Sequence, residues 1–159
     1  MQLHGLEGTM EGLRALPAEV VAKRGGPVGA ALRKAARNVI LKQELANLER
    51  VTAATSDNEK RLSTGFLKQN VVVSRGKQPY GTKGEKYLVR VRRKRYPGRA
   101  RVSTLQTANL LEYGSSQQPA EPWIRPAVES RGREALELIT REIIAGIERA
   151  KKKLLPGAR

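Results

Sequence analysis

Apolar residues recur along this chain with different spacings, and the changes of spacing mark its elements. The clearest pattern comes last. Leu136, Ile139, Ile143, Ile147, Ala150 and Leu154 fall three or four residues apart, a stripe that predicts a helix from about Pro126 to Leu154. Glu137 precedes Arg141 by four on its other side, as Glu148 precedes Lys152, and Lys151 to Lys153 suit the negative end of the helix. A second helical pattern runs from Pro27 to about Arg50, but in two parts. Val28, Leu32, Ala35 and Val39 share one phase, while Leu41, Leu45 and Leu48 share another. A helix that bends, one that buries two faces, or a partner subunit over the second face would each produce that shift. Before it, Met10, Leu13 and Leu16 predict a short amphipathic helix from Thr9. Pro17 opens a further turn and Gly25-Gly26 breaks the chain, so residues 1–26 read as a helical arm.

The middle of the chain changes period. Asn70–Arg75 and Lys86–Arg93 alternate as strands do, with Val71 and Val73 on one face, then Val89 and Val91 opposed to Leu88, Arg90 and Arg92. The polar stretch Thr52–Thr64 has no period and predicts a loop. Residues 76–85 and 93–101 predict two protruding, flexible basic loops, the second turning at Pro97-Gly98. Thr104–Tyr113 predicts a helix with Thr104 as its cap and Gly114 as a left-handed stop. Prolines 119, 122 and 126 then stiffen a connector whose one large anchor is Trp123, expected to be buried against the C-terminal helix. Together these elements predict an α+β fold in a single domain, 1–159: a small antiparallel sheet packed by long helices, ending in a long C-terminal helix.

Charge adds a function to this outline. The net charge is +16, and residues 68–101 alone hold twelve basic side chains against a single acid, Glu85. Positive charge at that density favours phosphate through counterion release. The residues expected to touch DNA are Lys77, Lys83, Arg90, Arg92, Arg93, Lys94, Arg95, Arg99 and Arg101. Two other uses compete: Arg90 and Arg92 could mark a solvent-facing edge that discourages aggregation, and the loops could dock on an acidic protein neighbour. Tyr96 is the only aromatic within the dense part of the block, which argues against base-stacking RNA recognition.

Catalysis finds little material. There is no cysteine, one histidine (His4) and one aspartate (Asp57), and no phosphate-binding loop or nucleophile elbow. No catalytic residue, metal or cofactor is expected. No apolar run approaches the length of a membrane span, and Glu7 and Glu11 interrupt any signal-peptide pattern, so no membrane partner is expected.

The stretch from Ala108 to Ala127 carries a resemblance. Ala108, then Glu112-Tyr113-Gly114-Ser115, then Pro119-Ala120 and Pro122-Trp123-Ile124-Arg125-Pro126-Ala127, resembles the head–tail joining proteins of tailed bacteriophages. These are the neck or tail-completion proteins related to the lambda-type minor tail protein Z. Ser63-Thr64-Gly65-Phe66-Leu67-Lys68 is a second, weaker echo. The resemblance implies the same α+β arrangement and a place in the virion neck after assembly in the host cytoplasm. It also implies a homo-oligomeric ring between head-completion (connector) and tail-terminator or tail-tube proteins, with double-stranded DNA in its lumen. Glu112 is then expected to make a structural ion pair, within a motif or interface formed by Glu112, Tyr113, Gly114, Pro122, Trp123, Ile124, Arg125 and Pro126. Like charges crowded around a lumen would keep the free subunit monomeric in dilute solution. The other reading is a cellular, non-sequence-specific nucleic-acid-binding module associated with RNA or the ribosome.

Overall fold

The computed structural model describes residues 26–53, 65–77 and 84–154. The arm over residues 1–25, the greater part of the 52–64 loop, and Lys83 lie outside them. The elements, in order, are α1 (Pro27–Ala35), a π-helical segment (Ala36–Leu41), α2 (Lys42–Ala53), a single turn α3 (Phe66–Gln69), and β1 (Val71–Arg75). Then come β2 (Tyr87–Val91), β3 (Arg95–Tyr96), β4 (Arg99–Ser103), α4 (Thr104–Tyr113) and α5 (Arg125–Leu154). The fold is α+β: a small antiparallel sheet packed by helices, closed by the long helix α5.

The phase shift in the first long helix has a local cause. Bonding i to i+5 adds a residue to the turn, so the π segment rotates the apolar positions that follow it. Ala31, Ala35 and Val39 face α5, where Ala135, Leu138 and Ile139 meet them. Leu48 and Val51, beyond the segment, turn instead to a second core with Leu67, Val71, Ala108 and Trp123. Both faces are thus buried within one chain, and no partner subunit is needed to cover the second. Pro27 begins α1 hard against α5: a side chain at Gly146 would bring its first carbon within 2.5 Å of the Pro27 ring.

β1 and β2 pair antiparallel with Val71 opposite Val91, Val72 opposite Arg90 and Val73 opposite Val89. Val71, Val89 and Val91 pack into the second core, while Leu88 and Arg90 are exposed on the other face. The N–H of Arg92 donates to the Asn70 carbonyl and prolongs this ladder by one step. The chain then forms a second, shorter pair instead of the expected flexible loop over 93–101. Arg95 lies opposite Ser103 and Tyr96 opposite Arg99, with the turn at Pro97-Gly98. Of the 76–85 loop, only the two ends are described, closed by Arg75 Nε on Glu85 Oε2 at 2.7 Å.

Candidate nucleic-acid interface and its buried anchor

The basic stretch leaves the sheet at Arg92 and is fastened there by Thr104, which is wholly buried. Its hydroxyl donates to the Arg92 carbonyl at 2.5 Å and accepts from the Lys94 N–H at 2.9 Å, while its own N–H donates to the Lys94 carbonyl. Thr104 is therefore not the cap of α4. Ser103 is, with its hydroxyl accepting from the Gln106 N–H. β-Branched Thr104 suits this place because its one hydroxyl can both donate and accept between two strand ends.

Arg90, Arg92, Arg93, Lys94, Arg95 and Arg101 are all exposed, and none forms an ion pair among the described residues. The contrast with other cations is sharp. Lys34 pairs with Glu142 at 2.5 Å, Arg125 with Glu112 at 3.0 Å and Arg131 with Glu134 at 2.7 Å. Glu85, the single acid of the basic block, is taken by Arg75. What remains is a ridge of uncompensated charge on a backbone held by two ladders and a threonine. Lys77 is exposed at the start of its loop, and Arg99 belongs to β4. Tyr96 does not offer its ring for stacking on a base. It packs on Phe66, centroids 5.2 Å apart, and so ties the second hairpin to α3.

The motif stretch forms the anchor behind this ridge. Trp123 is fully buried, but its cluster is the one around α2, β1 and α4, rather than a face of α5 as expected. Gly114 has φ of +74°, and a side chain there would come within 2.7 Å of the Ala120 nitrogen. Tight reversal at this glycine returns the chain, so that the Glu121 N–H donates to the Leu111 carbonyl. Glu112 then faces the start of α5. Its carboxylate accepts from the N–H groups of Trp123 and Ile124, both at 2.8 Å, from that of Arg125 at 3.2 Å, and from Arg125 Nε at 3.0 Å. Although it ends α4, this acid serves the positive end of the next helix. Burial pushes the Glu112 carboxyl up, but the three backbone donors and the Arg125 guanidinium outweigh it and hold the group below the ordinary carboxylate range. The Arg125 guanidinium also lies 5.6 Å from the ring centroid of Tyr113, which is mostly exposed. Pro122 and Ile124 are half-buried, and Pro126 lies in the first turn of α5.

Two residues of this anchor were not singled out from the sequence. Asn47 donates its amide to the Trp123 carbonyl at 3.0 Å. Glu44 is 3% exposed, and burial, followed by the charge of Glu112, pushes its carboxyl up to about 7. The signal was their position: Glu44 precedes Leu48 by four and Asn47 precedes Val51 by four, so both share the buried phase of α2.

Among the described residues no three His, Cys, Asp or Glu side chains are grouped to hold a metal ion, and no helix is long and apolar enough to cross a membrane. Compared with known proteins, the chain matches no family model, no curated protein and no solved structure.

Proposed function

We propose that this chain is a structural subunit of the head–tail junction of a tailed phage particle. Copies form a ring that joins tail to capsid, between connector and tail-terminator or tail-tube proteins, and the genome passes through its lumen. The observation that carries the reading is the ridge of exposed, unpaired basic side chains from Arg90 to Arg101, fixed to the fold by Thr104. A channel wall meets phosphates of every sequence, and charge without base-reading geometry suits that task. The motif from Glu112 to Ala127 supports the location, and its buried role as the coupling between α4 and α5 supports its use as a structural motif.

Two measurements test the reading. Duplex DNA of unrelated sequences should bind equally, with affinity falling steeply as salt rises. Reversing Arg92, Lys94 and Arg95 together should flatten the log–log salt slope by roughly 3, about 0.9 per lost phosphate contact, while Trp123 fluorescence stays native. In imaged particles assembled with this subunit, it should occupy the neck with the 92–101 ridge toward the lumen. An unchanged slope removes the ridge from the DNA contact. A ridge facing outward removes the channel. Ribonuclease-sensitive nucleic acid on the purified protein, with no particle incorporation, would favour the cellular RNA-associated module.

A further inference from the structure

Two helix faces remain without a partner in the folded chain, and they differ in charge. The outward face of α4 shows Leu105, Leu110 and Tyr113, which are 39%, 41% and 69% exposed. They line a shallow depression of about 530 Å³ with Gln106, Asn109 and Arg93 at its edge, and no acidic side chain lines it. The Arg125 guanidinium over the Tyr113 ring adds a second cation. The outward face of α5 shows Leu136 and Ile144, 37% and 54% exposed, around a second depression of about 600 Å³. Glu137 and Glu148 flank that one, against a single cation, Arg141. Neither acid is well engaged within the chain: Glu137 meets Arg133 only at 3.8 Å, and Glu148 forms no ion pair among the described residues.

We propose that the outward face of α4 in one copy docks on the outward face of α5 in the next. Leu105, Leu110 and Tyr113 cover Leu136 and Ile144, and Arg93 meets Glu137 and Glu148. The pairing of unlike faces follows from charge. Two α4 faces brought together would oppose Arg93 and Arg125 to their own copies, whereas α4 on α5 sets cations against carboxylates. Because the two faces are different surfaces, the contact is head-to-tail, and each copy keeps one free face for the next. This deepens the homo-oligomer proposed above and rests on that reading only for closure of the series into a ring. It also separates Arg93 from the rest of the basic ridge: Arg93 serves the neighbouring copy, and Arg92, Lys94 and Arg95 are left for DNA.

The absence of cysteine makes a direct test possible. Full-length L110C and I144C are prepared separately, checked for native Trp123 fluorescence, and treated with a short bis-maleimide at the highest soluble concentration. An equimolar mixture should yield a covalent dimer, and either variant alone should not. L105C replaces L110C as an independent repeat. Adding Arg93→Glu to the L110C copy should lower the yield by roughly tenfold, the effect of a reversed interface charge. Glu137→Arg with Glu148→Arg in the I144C copy should restore it. A dimer from I144C alone, which marks a two-fold α5 contact, would overturn the proposal, as would a mixture without product. The doubly substituted L110C/I144C chain separates this contact from the ring. A ladder that grows without closing keeps the contact and removes the ring. Closed rings without the mixed cross-link keep the ring and remove the contact.

Discussion

Glu44→Gln should make this protein more stable at neutral and alkaline pH, and the size of the gain can be worked from its surroundings. The Glu44 carboxyl is buried beside a second carboxyl, Glu112, which five-way contact with Trp123, Ile124 and Arg125 keeps ionised. Folding therefore raises the Glu44 pKa from 4.5 to about 7. Below the ordinary value both folded and unfolded chains hold the proton, and the group costs nothing. Between 4.5 and 7 only the folded chain holds it, so stability falls as pH rises, by about 1.4 kcal/mol per unit. Above 7 the folded chain carries the buried charge, at a total cost of at most about 3 kcal/mol. Glutamine keeps the shape and removes the charge. Urea unfolding followed by Trp123, the only tryptophan and fully buried, reports the transition directly. The variant should match the wild type near pH 4.5 and exceed it by about 2–3 kcal/mol at pH 8, with a nearly flat profile between. Glu112 works in the opposite sense, since its lowered pKa contributes stability above the ordinary carboxylate range and loses it only in stronger acid. Parallel pH profiles for the two proteins, or a variant weaker than wild type at pH 8, would refute the reasoning.

Three further outcomes follow from the same geometry. Trp123→Ala should cost about 3–5 kcal/mol, as full truncation of a core aromatic does, and lower the melting temperature followed by circular dichroism by roughly 10 °C; a loss under about 1 kcal/mol would deny it a core role. Thr104→Val should cost about 1–3 kcal/mol because the Arg92 carbonyl loses its partner and the Lys94 N–H loses the hydroxyl, and hydrogen exchange should show the Lys94 amide opening faster than its surroundings. Gly114→Ala should cost about 2 kcal/mol or more, combining a left-handed backbone with a clash at Ala120, and chemical denaturation measures it.

The sequence made the elements legible where a single period ran long enough. The helix from Pro126 onward, the two strands with their alternating valines, and the stop at Gly114 all stand close to their expected places. What it hid was the meeting of residues far apart. Glu112 reads as an acid at the wrong end of a helix until α5 is placed before it. Thr104 reads as a cap because a threonine opening a helix usually is one, yet its neighbour Ser103 takes that place and frees it to clasp Arg92 and Lys94. The hairpin over 95–103 escaped notice because arginines at alternate positions carry no apolar signal, and its one anchor, Tyr96, depends on Phe66 thirty residues earlier. On α5, the stripe from Leu136 is centred one residue off: Ala135 is buried and Leu136 is left partly open.

The π segment gives the chain length itself a structural meaning. Over residues 36–41 the helix holds about one residue more than an unbroken α-helix of the same turns would. Deleting any one of those six would let the helix run straight, and would turn everything after it by about 100°. Asn47 would swing away from the Trp123 carbonyl, and Leu48 and Val51 would leave the core they share with Val71 and Ala108. No change of side chain at those positions could repair the result, since the fault would lie in the count. Single-residue deletions between Ala35 and Lys42 should therefore be far more damaging than conservative substitutions there, a distinction that a deletion scan of this short interval reads directly.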